Sequence, residues 1–420
     1  MKKILSGLLI LFALQTAIAQ TLSPTIVKHS GIHYDRLAQI DTLLKDYVNK
    51  NWMVGAVVLI VKDNQLAYHK GYGYSDLSIK KPMPPDASFR IASHTKAITS
   101  LGIMQLFEQG KLGLDQHISD FIPEFKNPKL IKTFSAVDTS YTTTPAKREI
   151  TFRDLLTHTS GIDYPAIGND TMQAVYARNN IPSGLGFINE NLLTKMKALG
   201  ALPLIHNPGE RFTYGLNTDL LGCLIEIISG ESLETYCQKN IFEPLGMKDT
   251  WYNLPATKAA RLATAYTEDK DQKIIEWSPT FRNINPTYPL INKSYFSGGA
   301  GLSSTAFDYA VFLQMLLNKG SYNGKQILGR RTVELMLSPQ LPDKFLGDDN
   351  VCLGFGLTSK KSANLKMINE GSFAWGGYFG TTYWADPKEK MICLIMTQHT
   401  PNSHYDYTDK IINIIYGSLK

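Results

Sequence analysis

Two residues in the stretch RIASHTKAITS, Ser93 and Lys96, have the types and the spacing that covalent catalysis needs. They open a helical pattern that continues as the apolar stretch LGIMQLFEQG. Residues three apart on a helix share a face, so the lysine amine would lie beside the serine hydroxyl. A serine hydroxyl becomes a good nucleophile when a neighbouring group takes its proton. We predict that burial lowers the pKa of Lys96, which either takes this proton or keeps a second base deprotonated.

The S-x-x-K spacing is weak evidence by itself, because the chain contains it twice. Ser78 and Lys81 have the same spacing, but they lie in the polar, proline-rich stretch SIKKPMPPDAS, where no helix can hold them in register. Ser93 could also be only a helix cap, with the stem of Lys96 on apolar neighbours and its amine at the surface. A catalytic interpretation therefore needs further residues.

Six further stretches accompany SFRIASHTK at 88–96 in chain order. They are ITFRDLLTHTSGI at 150–162, NPGERFTYGLNTDLLGCLIEIISG at 207–230, IFEPLGMKDTWY at 241–252, SGGAGLSSTAFDYAVFL at 297–313, LGFGL at 353–357 and FAWGGYFGTTYWADP at 373–387. Together they resemble the serine β-lactamase and penicillin-binding-protein-like hydrolases, especially class C β-lactamases, D-aminopeptidases and β-lactamase-like carboxylesterases. The resemblance covers residues 35–418 and implies an α/β (α+β) fold of the β-lactamase/transpeptidase type. In that fold an antiparallel sheet is flanked by helices, with a largely helical region inserted.

The resemblance gives Tyr214 a role beside Ser93 and Lys96. Tyr214, in FTYGLN, matches the tyrosine of the second family motif. A tyrosine with a pKa near ~10 can act as a base only if a cation stabilises its phenolate, and Lys96 is the candidate. Family members often carry Tyr-x-Asn, whereas this chain has Leu216 there and Asn217 one residue later. Asn217 is a candidate substrate-binding residue, although the helix that follows could turn it elsewhere.

The third family motif, often Lys-Thr-Gly, matches Trp375, Gly376 and Gly377. As substrate-binding residues, the tryptophan would form an apolar wall and the glycines would let backbone approach a ligand closely. The alternative is a tight bend between strands. The resemblance also implies that the backbone N–H groups of Ser93 and Tyr378 form an oxyanion hole.

These matches imply a serine hydrolase that forms an acyl-enzyme on a small ester, amide or peptide, with no metal or organic cofactor. The altered second and third motifs favour carboxylic esters. Two alternatives stay open: a β-lactamase or D-amino-acid peptidase acting on cell-wall-type peptides, and a penicillin-binding-like receptor that acylates once without turnover. The sequence lacks the nucleophile-elbow pattern G-x-S-x-G, so an ordinary α/β-hydrolase loses its main support. His158 is expected to order its loop by hydrogen bonding.

The periodicity of apolar residues predicts the elements that position these side chains. A helix is expected over 32–47, followed by two strands from Gly55 that are joined at Asp63 and Asn64. The last part contains strands around Asp386 and a closing helix in DYTDKIINIIYGSL. We therefore predict one sheet built from both chain ends, at about 35–90 plus 321–420, with a mostly helical region at about 91–320 inserted between them.

Composition and charge exclude several other classes. With 43% hydrophobic and 19% charged residues, the chain has the composition of an ordinary soluble globular protein. The formal net charge is +6 and is dispersed, so nucleic acid is not an expected partner. Cys223 and Cys393 lie in apolar patterns that predict buried free thiols, although an exported protein could form disulfides. No metal site is expected at His29 and His33, which lie in a polar segment.

The N-terminal segment has the features of a secretory signal peptide. Lys2 and Lys3 precede an apolar run to Leu14, and Ala17-Ile18-Ala19 is a small-x-small cleavage pattern. We expect cleavage after Ala19, a hydrolase domain over 20–420, and a location in a periplasm or outside the cell. No stable membrane anchor is expected, because the apolar run is short for spanning a bilayer. The sequence leaves the oligomeric state open.

Overall fold

The computed structural model of the protein describes residues 21–186, 188–341 and 346–420. The predicted signal peptide at 1–19 lies outside the described residues. The strands are β1 Gly55–Lys62, β2 Gln65–Asp76, β3 Lys81–Pro82, β4 Phe89–Arg90, β5 Lys129–Phe134, β6 Tyr141–Pro145, β7 Tyr266–Glu268, β8 Ile274–Glu276, β9 Ser303–Ser304, β10 Ser321–Tyr322, β11 Lys325–Gln326, β12 Asn350–Val351, β13 Gly356–Leu357, β14 Phe373–Gly376, β15 Thr382–Asp386 and β16 Met391–Met396. The α-helices are α1 Tyr34–Leu37, α2 Gln39–Asn49, α3 Thr95–Glu108, α4 Phe152–Leu156, α5 Asp170–Arg178, α6 Leu192–Gly200, α7 Asn217–Ser229, α8 Leu233–Cys237, α9 Glu243–Leu245, α10 Ala306–Leu317, α11 Arg330–Met336, α12 Lys360–Ala363 and α13 Tyr407–Gly417.

Eight strands form one sheet in the order β12-β13-β14-β15-β16-β1-β2-β3, and every neighbouring pair is antiparallel. The two chain ends meet at its centre, where Leu59 of β1 lies opposite Leu394 of β16 and, on its other side, opposite His69 of β2. The predicted antiparallel sheet with flanking helices is confirmed.

The apolar run of β1 follows from burial on both faces of the sheet. Val57, Leu59 and Val61 point into the core shared with the helical region, while the alternate residues pack in a second core with α2 and α13. A strand covered on both faces carries apolar residues at nearly every position. The turn to β2 uses Asp63 and Asn64 with φ of 48° and 63°, the left-handed geometry that a tight hairpin needs.

Helix α3 runs through the middle of the molecule and positions the candidate nucleophile at its start. All of its residues from Thr95 to Leu106 are buried, and it packs against α7, α8 and α11. When a helix is buried on every face, the amine of a lysine in its first turn cannot reach solvent. Lys96 is 3% exposed, so the alternative in which its amine reaches solvent is wrong.

The segment between the two halves of the sheet also contains strands. Besides helices α3 to α10, it holds the antiparallel hairpins β5–β6 and β7–β8. The side chains of β5 and β6 are half-buried or exposed throughout. Without a buried face, these strands lack the alternation of apolar and polar residues by which a strand is found in a sequence.

In the described ranges no helix is both long and apolar enough to cross a membrane. The same residues contain no group of three or more His, Cys, Asp and Glu side chains that could hold a metal ion. All four cysteines are free and buried. The prediction of buried free thiols at Cys223 and Cys393 is therefore confirmed.

Candidate active site

Ser93 lies in a single 3-10 turn, Ala92–His94, between β4 and α3. Ala92 has a φ of 42°, a left-handed conformation that is costly for a residue with a Cβ and is found mostly where the surroundings enforce it. The surroundings here are tight. The Gln398 side chain accepts from the backbone N–H of Arg90 and donates to the Arg90 carbonyl, at 3.1 Å each. Both backbone polar groups of Arg90, three residues before Ser93, are therefore fixed.

Two groups that could carry a proton meet at the Ser93 hydroxyl. The Tyr214 O–H donates to Ser93 Oγ at 2.7 Å, and Lys96 Nζ donates to the same oxygen at 3.2 Å. Lys96 Nζ also lies 4.8 Å from the centre of the Tyr214 ring. The three residues that the sequence assigned to catalysis therefore lie together, in hydrogen-bond contact. This arrangement can move a proton from the serine hydroxyl to the tyrosine oxygen beside a cation.

The protonation state of Lys96 differs from the prediction. Burial alone would lower its pKa, but Tyr164 and Tyr214 favour the charged form more strongly, so the pKa of Lys96 lies above its ordinary value. Its ammonium also has three acceptors: Ser93 Oγ, Tyr164 OH at 3.0 Å, and the Gly299 carbonyl at 2.7 Å, which can only accept. The expected downward shift of this pKa is wrong, because the acceptors around the buried amine outweigh the effect of burial. Lys96 is suited to stabilise a phenolate on Tyr214.

The sequence motifs missed two residues of this cluster, Tyr164 and Asp219. Burial raises the pKa of Tyr164, and the neighbouring Lys96 opposes that shift. Asp219 is completely buried in α7, and burial raises the pKa of its carboxyl to about 6 despite the nearby Ser297 hydroxyl and the charge of Lys96. A Cβ on Gly299 would lie 2.4 Å from Asp219 Oδ2, so only a glycine fits between the carboxyl and the lysine. Neither residue has a spacing to Ser93 that marks it in the sequence.

Trp375 lies against Tyr214. Its Nε1 donates to the Tyr214 oxygen at 3.4 Å, and the two ring centres are 5.7 Å apart. Trp375 is not among the residues that line the cavity in front of Ser93. Its contact is with the tyrosine, whose ring it helps to hold, and the predicted apolar wall for substrate is made by other residues.

Asn217 lies outside that cavity. It is fully buried at the first position of α7. Its Nδ2 donates to His158 Nδ1 at 3.0 Å, and its Oδ1 accepts from the hydroxyl of Ser160. The structure thus assigns Asn217 to fixing the loop that carries His158, in line with the loop-ordering role expected of that histidine, and gives it no access to a substrate.

We predict that His158 makes the protein less stable in acid. Burial, followed by the charge of Lys96, lowers the pKa of His158 to about 3, and its Nδ1 must stay unprotonated to accept from Asn217. The stabilisation by the neutral ring is complete above the unfolded pKa of about 6.5 and is lost as pH falls towards 3. Between pH 6 and 4.5, the unfolding free energy of His158→Gln should decrease with falling pH less steeply than that of the wild type. The expected difference in slope is about 1.4 kcal/mol per pH unit. Urea titrations at stepped pH measure this slope, and an unchanged slope would contradict the prediction.

The glycines of the third motif form a bend between strands. Gly376 ends β14, and the N–H of Gly377 donates to the Thr381 carbonyl at 2.7 Å across the turn to β15. Neither glycine lines the cavity. A Cβ on Gly377 would overlap the hydroxyl oxygen of Thr381 and would also lie 2.6 Å from the carbonyl oxygen of Ile91, two residues before Ser93. Gly377 is therefore needed for close packing of this turn under the Ser93 loop, which differs from the predicted contact with a ligand.

A matched pair of substitutions tests this packing role. Gly377→Ala should lower kcat/KM for an ester by roughly 10²-fold, because the new methyl group pushes the Ser93 loop out of position. Gly376→Ala should stay within about twofold of the wild type, since the nearest atom to its Cβ would be 3.9 Å away. Steady-state kinetics of both variants decide the question. Equal losses would show that the close packing at Gly377 does not matter.

The two backbone groups expected to form an oxyanion hole are free to bind. In the part of the chain that the structure describes, neither the N–H of Ser93 nor that of Tyr378 has a hydrogen-bond acceptor. Both residues line one cavity of about 470 Å³. Backbone donors that are fixed and unpaired at a cavity wall are suited to bind an oxygen that gains negative charge.

The cavity in front of Ser93 is mainly apolar, with a few polar groups. Its lining consists of Ala92, Ser93, Tyr164, Ala166, Ile167, Ser183, Leu185, Tyr214, Arg282, Asn283, Ile284, Ala300 and Tyr378. This combination of apolar wall and convergent polar groups is typical of small-molecule sites.

The sequence profile of the Beta-lactamase family matches residues 40–415. The chain belongs to the Beta-lactamase family. Protein Rv1367c of Mycobacterium tuberculosis (strain ATCC 25618 / H37Rv) is 32% identical over 383 residues, which cover 86% of this chain and 90% of the relative. Esterase EstB of Burkholderia gladioli is 24% identical over 376 residues, which cover 86% and 90%. A solved structure described as EstCE1, a hydrolase with promiscuous acyltransferase activity, has a TM-score of 0.78 at 26% identity and covers 91% of this chain and 99% of its own.

These findings confirm the family and the fold that the sequence motifs implied. This member of the Beta-lactamase family has the fold of the hydrolases in that family, and its relatives include an esterase. Ser93, Lys96 and Tyr214 lie within the matched range, and so does the turn that carries Gly377 and Tyr378.

Proposed function

We propose that this protein is an exported serine hydrolase that cleaves carboxylic esters through an acyl-enzyme on Ser93. The observation that carries the proposal is the contact of Ser93 Oγ with both the Tyr214 oxygen, at 2.7 Å, and Lys96 Nζ, at 3.2 Å. Ser93 and Tyr214 line a cavity of about 470 Å³ that can take a small molecule.

In the proposed reaction, Tyr214 first gives its proton to water, and its phenolate, stabilised by the ammonium of Lys96, then accepts the serine proton while Ser93 Oγ attacks the ester carbonyl. The N–H groups of Ser93 and Tyr378 bind the oxygen that becomes negative. As the bond to the alcohol breaks, Tyr214 passes the proton to the leaving oxygen. Water then attacks the acyl-enzyme and gives a proton to Tyr214. As the acid is released, Tyr214 returns this proton to the oxygen of Ser93.

Esters are favoured because the second-motif and third-motif side chains of Asn217 and Trp375 do not line this cavity. Asn217 is buried against His158 and Ser160, and Trp375, at the start of the third motif, carries no charge. The lining is largely apolar, which suits the acyl chain of an ester. The esterase among the relatives supports this choice.

A substrate panel tests the proposal. The wild-type protein is assayed with p-nitrophenyl acetate, a chromogenic cephalosporin and a D-alanyl-D-alanine peptide, and its intact mass is followed after a pulse of the first. We expect ester hydrolysis to exceed the other two activities and the acetyl adduct to disappear within the turnover time. Cephalosporin turnover without esterase activity would replace the proposal by a β-lactamase, and a persistent adduct would replace it by a receptor.

Export is part of the proposal and rests on residues 1–19. Two lysines, an apolar run and Ala17-Ile18-Ala19 form the pattern of a cleaved signal peptide. N-terminal sequencing of the protein from a host with a secretion pathway should begin at Gln20. A protein that keeps Met1 and stays in the cytoplasm would exclude export.

A further inference from the structure

Arg282 lies at the wall of the Ser93 cavity in an unusual backbone conformation. It belongs to a short 3-10 turn, Phe281–Asn283. Arg282 and Asn283 have φ of 53° and 56°, both in the left-handed region that residues with a Cβ rarely adopt. Such conformations persist where the surrounding structure holds them, and they are enriched at binding sites. The backbone therefore presents two polar side chains at the cavity.

The guanidinium of Arg282 is held at this position but is not neutralised. Its Nη1 donates to the Tyr378 hydroxyl at 2.7 Å, and its central carbon lies 5.4 Å from the ring centre of Phe281. Among the described residues, no carboxylate forms an ion pair with it. An arginine has five N–H donors in a planar fork. Most of them stay available to a ligand.

Arg282 is also the single charged side chain among the described residues that line the cavity. No Asp or Glu lines it, so no carboxylate there repels an anion. Ser183 and Asn283 add polar groups to the same wall. Guanidinium groups bind carboxylates with two parallel hydrogen bonds, which fixes orientation as well as charge.

We propose that Arg282 binds a carboxylate at the end of the substrate remote from the reacting ester, so that the preferred substrates are esters with an anionic acyl or alcohol part. The inference rests on the proposed esterase function and adds the substrate class to it. Arg282 is a specificity-determining residue on the turn Phe281–Asn283, outside the third motif, where Trp375 supplies no charge.

The test compares esters that differ only in charge. Mono-p-nitrophenyl glutarate is paired with p-nitrophenyl pentanoate for the acyl side, and 4-acetoxybenzoate with phenyl acetate for the alcohol side. In the wild type, the charged member of one pair should have a kcat/KM about fivefold to tenfold higher, mainly through KM, because the site is partly open to solvent. The pair that shows the preference identifies which part of the ester carries the anion.

Variants then assign the preference to the arginine. Arg282→Gln should remove the charge preference, and Arg282→Lys should keep part of it. Lys126→Gln removes the same charge from an exposed lysine outside the cavity and should leave the preference unchanged. Absence of a preference in the wild type, or an equal preference in Arg282→Gln, would overturn the inference.

A binding measurement separates this inference from the proposed function. Calorimetry with Ser93→Ala compares glutarate monoester and pentanoate ester without turnover, and the double variant Ser93→Ala/Arg282→Gln repeats it. Tighter binding of the anion that depends on Arg282 supports the inference even if the wild type hydrolyses no ester, in which case only the function fails. Ester hydrolysis without any binding or kinetic preference for the anion overturns the inference alone.

Discussion

Ser93→Ala is expected to lower kcat/KM for p-nitrophenyl acetate by roughly 10⁴-fold or more, to the level given by the oxyanion donors and binding alone. The alanine removes the oxygen that contacts both Tyr214 and Lys96, so no acyl-enzyme can form. Stopped-flow release of p-nitrophenol and intact-mass spectrometry measure the loss of turnover and of the acetyl adduct. The fold should be unchanged in circular dichroism, since Ser93 donates no hydrogen bond that the turn needs.

The chain supplies its own control for this experiment in the second S-x-x-K pattern. Ser78 lies in a surface turn, and its hydroxyl donates to Asp76 at 2.6 Å. Ser78→Ala should therefore retain wild-type kinetics within about twofold, as is usual for a surface substitution. Residual esterase activity in Ser93→Ala above one per cent of the wild type, given as an order of magnitude, would mean that another group is the nucleophile.

Lys96→Met is expected to lower kcat/KM by about 10³-fold. Methionine fills the space of the lysine stem but removes the ammonium that faces Tyr214 at 4.8 Å from its ring centre. Without that cation the phenolate is costly to form, and the tyrosine can no longer accept the proton of Ser93. The loss should fall mainly on the acylation rate, which is measured by the pre-steady-state burst.

The stability of the same variant provides a second readout. Removing the ammonium leaves Tyr164 OH and the Gly299 carbonyl without their donor, which costs about 1–3 kcal/mol for each buried group. Loss of a buried charge offsets part of this cost. Lys81→Met, the lysine of the surface S-x-x-K pattern, should leave both kinetics and unfolding free energy close to wild type. A fully active Lys96→Met would exclude the proton relay through Tyr214.

Much of the fold could be predicted because its central strands carry the pattern that their burial requires. The runs at 55–62 and 391–396 are apolar at nearly every position, and both are covered on two faces in the structure. The hairpin β5–β6 could not be predicted, because its side chains are exposed or half-buried and show no period. The register between β1 and β16 also depends on the assembled sheet, since each strand alone fits its partner in several alignments.

The candidate site also contains residues that could be predicted from the sequence and residues that could not. Ser93, Lys96 and Tyr214 could be found because their types and motifs survive in the sequence. Tyr164 and Asp219 could not, because loops and helices distant in the chain bring them to Lys96. The direction of the pKa shift of Lys96 was wrong for the same reason. The burial of a helix can be predicted from its sequence, whereas the acceptors around a buried amine cannot.

The sequence by itself determined the family, the candidate nucleophile and its two candidate partners, and the sheet formed by both chain ends. These depend on local spacing and on the apolar pattern of single elements. Only the tertiary structure decided that Asn217 supports the His158 loop, that Gly377 packs under the Ser93 turn, and that Arg282 stands at the cavity wall. Each of these roles depends on a distance of a few ångströms between segments that are far apart in the chain, and packing sets those distances.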